Sequence, residues 1–468
     1  WGIISPKKTL LKLKTKQWIK FLIFSFLSLF LFGLIAVFFH YYSYRNQSMI
    51  SFKPEAYDRS STLDIYTDKL AYRAQDTVHV FIHSKAESVA VLRPYGIEHQ
   101  KDTILSFQTK ANTQELTDTQ AEFGCQWTSA FKFVLDEDLE GGFYQIDLQT
   151  ETETRSWSFL LEQRKPSKIA VLFPLSTWVA YNQWGGKSLY INALENKTTY
   201  FASSQRPNPE LQIPIEQNIA SYFKTEHQAL LLADYALETD KALLESVDVI
   251  ILASHCEYFS ETMYQNLEDI LQSGVNLISM GGNQIYWKIK WNKDHKTMEC
   301  RKDLTHFSDQ LNDYGGMWRH HFQKAEHRLL GNQFTDAGMH TYAPYEVRNA
   351  EHWIYEGLDL KNGAIFGEKG ARYGRPLSGD ELDKIETQDE SITLLAKGLN
   401  GNPSYTFPAL DKSEIGAYGA DFVLKTHPNF DVLSTGSITS GDGLGFDTVF
   451  TQLIENFIQH STEHSTEH

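Results

Sequence analysis

The chain has 468 residues, which is enough for two or three domains with a large apolar core. Its formal net charge of −16 argues against a nucleic-acid-binding role, because contacts to phosphate need a basic face. The three cysteines, Cys125, Cys256 and Cys300, are too few for a disulfide framework or a four-cysteine zinc site. A bridge between Cys256 and Cys300 is left open.

The amino-terminal part has the pattern of a membrane anchor. Residues 1–20 are rich in lysine and contain no acid, and residues 21–39 form an unbroken run of apolar and small residues. As a helix this run would span roughly 30 Å, the thickness of a bilayer core. A cleaved signal peptide is disfavoured, because the run is long and no small-x-small cleavage site follows. We therefore predict a transmembrane anchor over residues 21–42 and, from the lysines, a single-pass membrane protein whose large domain is extracytoplasmic.

A β-sandwich domain is predicted over residues 61–163, after a linker at residues 43–60. Short stretches that alternate apolar and polar residues, such as TVHVFIHS and GFYQIDLQTE, recur there between turn residues. No cluster of histidine, cysteine or paired carboxylates suggests chemistry in this segment. We interpret it as a non-catalytic module.

An α/β domain is predicted over residues 164–459, before a low-complexity tail at residues 460–468. The continuous apolar run at residues 247–253 indicates a strand buried on both faces, and Ser260 can cap the helix that follows. Strands and helices alternate around it, which favours a doubly wound parallel sheet. In such sheets ligands bind at the carboxyl ends of the strands, where the polar residues 255–258 stand.

Three strings carry a family resemblance: WVAYNQWGGKSLY, HCEYFS and GGNQIYWK. They resemble the large (β) subunit of N,N-dimethylformamidase and its relatives, and the resemblance covers roughly residues 60–459. It implies a β-rich region followed by an α/β domain related to class I glutamine amidotransferases. It also implies hydrolysis of a carbon–nitrogen (amide) bond at a mononuclear iron held by two tyrosines and one glutamate. In the first string, Tyr181 and Tyr190 are interpreted either as core aromatics or as part of the active-site face.

The implied metal ligands are Tyr258, Glu381 and Tyr286. Tyr258 matches a tyrosine of the family's strand-end motif, and Glu381 in SGDELD resembles a family glutamate. A ferric ion (Fe³⁺) is hard enough to bind phenolate and carboxylate oxygens together and to activate water. The second tyrosine has two possible positions, Tyr286 and the place after Cys300, where relatives tend to have a tyrosine and this chain has Arg301. An arginine in that position would repel the metal ion.

Three further residues at the strand end are catalytic candidates: His255, Cys256 and Glu257. His255 and Glu257 can transfer protons or support the metal ligands, or they can simply form a hydrogen-bond network. Cys256 precedes a helix and could act as the nucleophile of a thiol hydrolase. A non-catalytic binding or scaffold protein is the other alternative. The substrate is expected to be a small amide or a peptide-like amide, and a homo-oligomer or a small partner subunit is left open.

Overall fold

The computed structural model describes residues 62–96, 103–190, 199–208, 213–302, 316–336, 338–402 and 418–464. Its strands are β1 (Leu63–Thr67), β2 (Ala71–Tyr72), β3 (Thr77–Ser84), β4 (Ser88–Pro94), β5 (Leu105–Thr109), β6 (Ser129–Val134), β7 (Gly142–Gln149), β8 (Thr154–Leu161), β9 (Ile169–Phe173), β10 (Phe201–Ser203), β11 (Leu230–Ala233), β12 (Val249–Ser254), β13 (Tyr258–Ser260), β14 (Asn276–Gly281), β15 (Trp287–Trp291), β16 (Thr297–Glu299), β17 (Gln333–Thr335), β18 (Tyr342–Ala343), β19 (Tyr345–Val347), β20 (Ile365–Phe366), β21 (Ser378–Gly379), β22 (Leu382–Lys384), β23 (Ile392–Gly398), β24 (Asp421–Thr426) and β25 (Asp431–Ser434). Its α-helices are α1 (Gln120–Phe123), α2 (Leu175–Tyr181), α3 (Pro214–His227), α4 (Ala236–Thr239), α5 (Lys241–Leu244), α6 (Glu261–Gln272), α7 (Trp318–His321), α8 (His327–Leu330) and α9 (Thr448–His464). Short 3-10 turns lie at Trp184–Gly186, Trp353–Tyr355 and Ile438–Gly443.

The first part of the described chain forms two sheets. One has the order β1-β3-β6 and is antiparallel, and the other has the order β2-β8-β7-β4-β5 and is antiparallel except for the β2–β8 pair. The sheets meet at Trp157, whose indole N–H donates to Thr67 Oγ1 at 2.7 Å and whose ring contacts Tyr66 edge-on. Apolar residues that alternate with polar ones therefore fill the space between the two sheets.

A nine-stranded sheet in the order β11-β9-β12-β14-β25-β24-β23-β19-β20 forms the second part. Strands β11, β9, β12, β14 and β25 run parallel, and the remaining pairs are antiparallel. All six residues of β12 are buried, which agrees with the uninterrupted apolar run of its first five residues in the sequence. The carboxyl ends of β9, β12 and β14 lie side by side at one edge of the sheet.

The predicted doubly wound, glutamine-amidotransferase-like parallel sheet is wrong. The nine-stranded sheet is mixed, and five of the nine helices in the described part are single turns of four residues. Strands β24 and β25 are joined by a four-residue connection, which can only link antiparallel strands, since a parallel pair needs a long crossover. Local apolar runs indicate strands, but they do not determine the direction in which distant strands pair.

The helix after the central strand follows the sequence pattern closely. Ser260 caps α6, and its Oγ accepts a hydrogen bond from the backbone N–H of Met263 at 3.1 Å, as predicted. The apolar residues at helical spacing, from Met263 to Leu271, are buried against the sheet. Gly274 ends the turn with a φ of 105°, a conformation that glycine adopts without strain. The helix therefore fixes the position of the strand end that precedes it.

The predicted membrane anchor and the extracytoplasmic location inferred from it are corrected here. In the part of the chain that the structure describes, no helix combines the length and the apolar character needed to cross a bilayer. The predicted segment, residues 21–42, lies outside the described residues.

Candidate active site

A cavity of about 600 Å³ opens at the carboxyl ends of the parallel strands. Ser254 and His255, at the end of β12, form its floor, and Glu381, between β21 and β22, lies on its wall. Four aromatic residues, Trp178, Tyr181, Tyr342 and Tyr373, line the cavity together with polar and charged residues such as Glu216, Arg375 and Asp380. Its volume and its mixture of aromatic and polar lining residues suit a small organic ligand.

His255 lies between two carboxylates and a phenol. Its Nε2 is 3.3 Å from Glu257 Oε2, 3.8 Å from Glu381 Oε2 and 3.2 Å from the Tyr181 hydroxyl. Its Nδ1 is 2.9 Å from the backbone carbonyl oxygen of Gly282, which can only accept a hydrogen bond, so Nδ1 carries a proton. The imidazole ring is thus held in one orientation with Nε2 directed toward the acidic groups.

The two carboxylates occupy different surroundings. Glu257 is buried, and its Oε1 accepts a hydrogen bond from the Tyr190 hydroxyl at 2.5 Å. Glu381 faces the cavity and accepts a hydrogen bond from Asn283 Nδ2 at 2.7 Å. Asn283 Nδ2 is also 3.5 Å from Glu257 Oε1, so one amide group bridges the two acids. Glu257 therefore does not line the cavity, whereas Glu381 lines it and can contact a ligand.

Mutual charge interactions separate the proton affinities of these groups. Although burial by itself lowers it, the charges of Glu381 and Glu257 raise the pKa of His255 to about 10. Burial tends to raise the pKa of Glu257, but the hydrogen bond and charge of His255 bring it below the usual value. Burial raises the pKa of Glu381 to about 7, in spite of the nearby His255. Near neutral pH His255 is thus an imidazolium ion and Glu257 is ionised, whereas Glu381 is present in both its protonated and its ionised form.

Tyr258 does not line the cavity, and its hydroxyl group contacts a lysine. The side chain of Tyr258 is fully buried, and its hydroxyl oxygen accepts a hydrogen bond from Lys302 Nζ at 2.6 Å. The ammonium group is 3.3 Å from the ring centroid of Tyr190 and 4.6 Å from that of Trp287. Burial, increased by the charge of Glu257, raises the pKa of Tyr258 well above its ordinary value, so its hydroxyl stays protonated.

The two tyrosines that the family resemblance assigns as ligands of the ferric ion, Tyr258 and Tyr286, lie in different surroundings. The Tyr258 oxygen accepts a hydrogen bond from the Lys302 ammonium group, whereas the hydroxyls of Tyr190 and Tyr181 lie beside Glu257 Oε1 and His255 Nε2. The ring of Tyr286, the second expected ligand, packs edge-on against Phe334 and lies beneath the guanidinium of Arg319.

The side chain of Arg301 is not directed toward Glu257 and Tyr258. Its side chain pairs with Glu299 at 2.6 Å and lies over the ring of Tyr200. The next residue, Lys302, enters the site instead. Met298, Cys300 and Lys302 are all buried, at the two-residue spacing by which an extended chain places side chains on one face. This spacing is the sequence signal that could have identified Lys302, which sequence reasoning missed together with Asn283.

Cys256 is directed into the apolar core rather than into the cavity. Its side chain is fully buried, and Sγ lies 3.5 Å from the carbonyl oxygen of Ala253 and 3.7 Å from that of Leu172. Burial raises the pKa of this thiol well above its ordinary value. These surroundings stabilise the unreactive thiol and do not favour the thiol hydrolase alternative. Cys256 and Cys300 are both free.

Close backbone packing holds the loop after β14 against the turn between β21 and β22, which carries Glu381. A Cβ atom on Gly282 would lie 2.3 Å from the backbone carbonyl oxygen of Glu381. We expect Gly282→Ala to lower the free energy of unfolding by about 1–3 kcal/mol, because one of the two backbones must shift. Urea denaturation measures this change. Gly401→Ala is the control, because a Cβ atom there meets open space, and an equal loss in both variants would contradict the packing argument.

Arg206 positions the segment that carries Tyr181 and Tyr190. Its guanidinium is fully buried and donates to backbone carbonyl oxygens of that segment and of its own loop, those of Val179, Asn182, Trp184, Lys187 and Ser203. The buried guanidinium therefore ties the end of α2, which carries Tyr181, to the loop that leads to Tyr190.

We expect Arg206→Lys to lower the free energy of unfolding by about 3 kcal/mol or more, because three ammonium donors cannot satisfy as many buried carbonyl groups. Chemical denaturation measures the loss. Arg164→Lys is the matched control, since Arg164 makes a bidentate pair with Asp240 at a partly exposed position. A loss no larger than that of the control would show that Arg206 does not organise this segment.

Comparison with known proteins gives one family and one curated relative. A family profile described as "N,N-dimethylformamidase beta subunit-like, C-terminal" matches residues 94–452. The N,N-dimethylformamidase beta subunit of Paracoccus aminophilus is 22% identical over 357 residues, with 62% of this chain and 46% of that protein covered. The match thus spans less than half the length of the curated relative.

Solved structures resemble the chain only in parts. Escherichia coli alpha-2-macroglobulin covers 24% of this chain with 14% identity and a TM-score of 0.16, and 10% of its own length is matched. Cwp6 from Clostridium difficile covers 47% of this chain with 10% identity and the same TM-score, and 37% of its own length is matched. Scores this low carry no conclusion about fold or function.

Proposed function

We propose that this chain, a member of the N,N-dimethylformamidase beta subunit-like family, hydrolyses the carbon–nitrogen bond of an amide. The observation that carries the proposal is the placement of His255 Nε2 between Glu257 and Glu381 at the floor of the cavity. Amide hydrolysis needs a base for water, a positive group for the carbonyl oxygen and an acid for the leaving nitrogen.

Glu381 is the proposed base and acid. Its carboxylate takes a proton from a water molecule while the water oxygen bonds to the carbonyl carbon of the amide. The same carboxyl group then gives that proton to the nitrogen as the carbon–nitrogen bond breaks. A carboxylic acid and an amine leave, and the enzyme returns to its starting state. A pKa of about 7 suits both halves of this task near neutral pH.

His255 and the hydroxyl of Tyr181 are the proposed donors to the carbonyl oxygen. Both groups line the cavity, with His255 Nε2 3.2 Å from the Tyr181 hydroxyl, and both can donate hydrogen bonds to negative charge that develops in the transition state. Glu257 is a positioning residue, because its buried carboxylate keeps the imidazole ring protonated and oriented. Asn283 holds the two carboxylates at a fixed separation.

The proposed substrate is a small or peptide-like amide with a planar or apolar group. The aromatic walls of the cavity can pack against such a group, and its volume of about 600 Å³ exceeds that of the smallest amides. The relative is named a beta subunit, and a partner subunit is therefore proposed for this chain as well.

The test is release of an amine from a panel of amides, including N,N-dimethylformamide, N-aryl formamides and N-acyl amino acids. We expect the purified chain to release amine from at least one of them faster than buffer does. The alternative, a non-catalytic binding protein, predicts that an amide protects the chain against thermal unfolding without any release of amine.

A further inference from the structure

We propose that Arg375 binds a carboxylate of the substrate, so that the cavity takes amides that also carry an acidic group. Arg375 is exposed to solvent and lines the same cavity as His255 and Glu381. A cavity of about 600 Å³ is small enough for one molecule to contact the guanidinium group and Glu381 together. The inference rests on the proposed hydrolysis for the reaction itself, but it concerns ligand binding and can be tested without turnover.

Tyr342 supports the guanidinium group of Arg375. The Cζ atom of Arg375 lies over the Tyr342 ring, 4.5 Å from its centroid. A contact through the ring face does not use up the N–H donors of arginine, so two of them can still donate in parallel to a carboxylate. Tyr342 in β18 pairs with Gly379 in β21, where an added Cβ atom would collide with the Tyr342 ring. The supporting ring is therefore fixed close to the turn that carries Glu381.

A buried carboxylate holds the loop that carries Arg375. Asp442 is only 1% exposed, and its side chain accepts hydrogen bonds from the backbone N–H groups of Arg372 at 2.8 Å and Tyr373 at 2.9 Å. The carbonyl oxygen of Arg375 closes the loop, because it accepts a hydrogen bond from the backbone N–H of Gly370 at 2.7 Å. A loop that is already ordered loses little entropy when a ligand binds, so the guanidinium group is preorganised.

The other charged groups that line the cavity are compensated. Asp380 pairs with His340 at 2.9 Å, and Glu381 is compensated by the imidazolium group described above. Glu216 is buried, and burial raises the pKa of its carboxyl group, which disfavours the charged form. Within the described ranges, no carboxylate forms an ion pair with Arg375. A carboxylate of the substrate can therefore take that place.

Binding of paired ligands to matched variants tests the proposal. N-acetyl-phenylalanine and N-acetyl-2-phenylethylamine differ only in the carboxylate, and both contain an amide and an aromatic ring. The dissociation constants of both are measured by isothermal titration calorimetry for the wild type, Arg375→Met, Arg375→Lys and Arg372→Met, and amine release is followed separately. Arg372→Met is the control, because Arg372 is an exposed arginine of the same loop that does not line the cavity. Thermal unfolding checks that each variant is folded.

We expect the wild type and Arg372→Met to bind the acid about 10–100-fold more tightly than the neutral amide, the usual contribution of hydrogen bonds to a charged group. Arg375→Met should lose this preference. Arg375→Lys should keep part of it, because lysine keeps the charge but not the planar pair of donors. Equal affinities in the wild type, or a preference that survives in Arg375→Met, would overturn the carboxylate site. Preferential binding of the acid without release of amine from any amide would instead overturn the proposed hydrolysis and support this site.

Discussion

Replacing Glu381 with glutamine is expected to lower kcat/KM for amide hydrolysis by about 10²–10⁴, the usual contribution of a general acid–base group. Glutamine has the same shape and can still accept the hydrogen bond from Asn283, but it cannot take a proton from water. In the wild type, kcat/KM should rise as the pH rises through about 7, because the base must be ionised and burial raises its pKa to that value from 4.5. The variant should lose this dependence. Initial rates of amine release across the pH range measure both effects.

Glu455→Gln is the control for this experiment. Glu455 also pairs with a histidine, His227, at 2.8 Å and with the Tyr222 hydroxyl at 2.7 Å, but these groups lie away from the cavity. It should leave kcat/KM within a factor of about two of the wild-type value. A Glu381→Gln protein with the activity and pH profile of the wild type would rule out the proposed base.

Replacing His255 with glutamine is the second large change, with an expected loss of about 10²–10³ in kcat/KM, typical of removing one donor to a developing oxyanion. The substitution also removes the cation that both carboxylates share. Without it the pKa of Glu381 should rise, and the acid limb of the pH profile should therefore move to higher pH. A merely structural role for the ring would not produce that shift.

The matched control for this second variant is His227→Gln, which removes the partner of Glu455 on another part of the molecule. It should change neither kcat/KM nor the position of the acid limb. If His255→Gln lowers activity while the acid limb stays where it is, the imidazole does not set the charge of Glu381, and the electrostatic part of the account is wrong.

Much of the central unit could be predicted because its determinants are local. The apolar run of β12, the Ser260 cap and the buried face of α6 depend on neighbouring residues, and each is found in the structure. The placement of His255 at a strand end follows from the same local pattern, because the apolar run stops at Ser254.

The rest of the site depends on contacts between distant parts of the chain. Asn283 and Glu381 are 98 residues apart, and only the family resemblance singled out Glu381. Lys302 was overlooked because a lysine is ordinarily an exposed residue, and only its register with Met298 and Cys300 indicates burial. The mixed sheet was missed for a similar reason, since strand direction is set by pairing and not by composition.

Whether water itself attacks the amide is tested most clearly by hydrolysing an accepted amide in water labelled with ¹⁸O. The acid product and the protein are then analysed by mass spectrometry. The account predicts a single labelled oxygen in the acid and a protein of unchanged mass at every time point, with the yield of acid lost in Glu381→Gln. Amine release no faster than in buffer, or an acyl group bound to the peptide that contains Cys256, would contradict it.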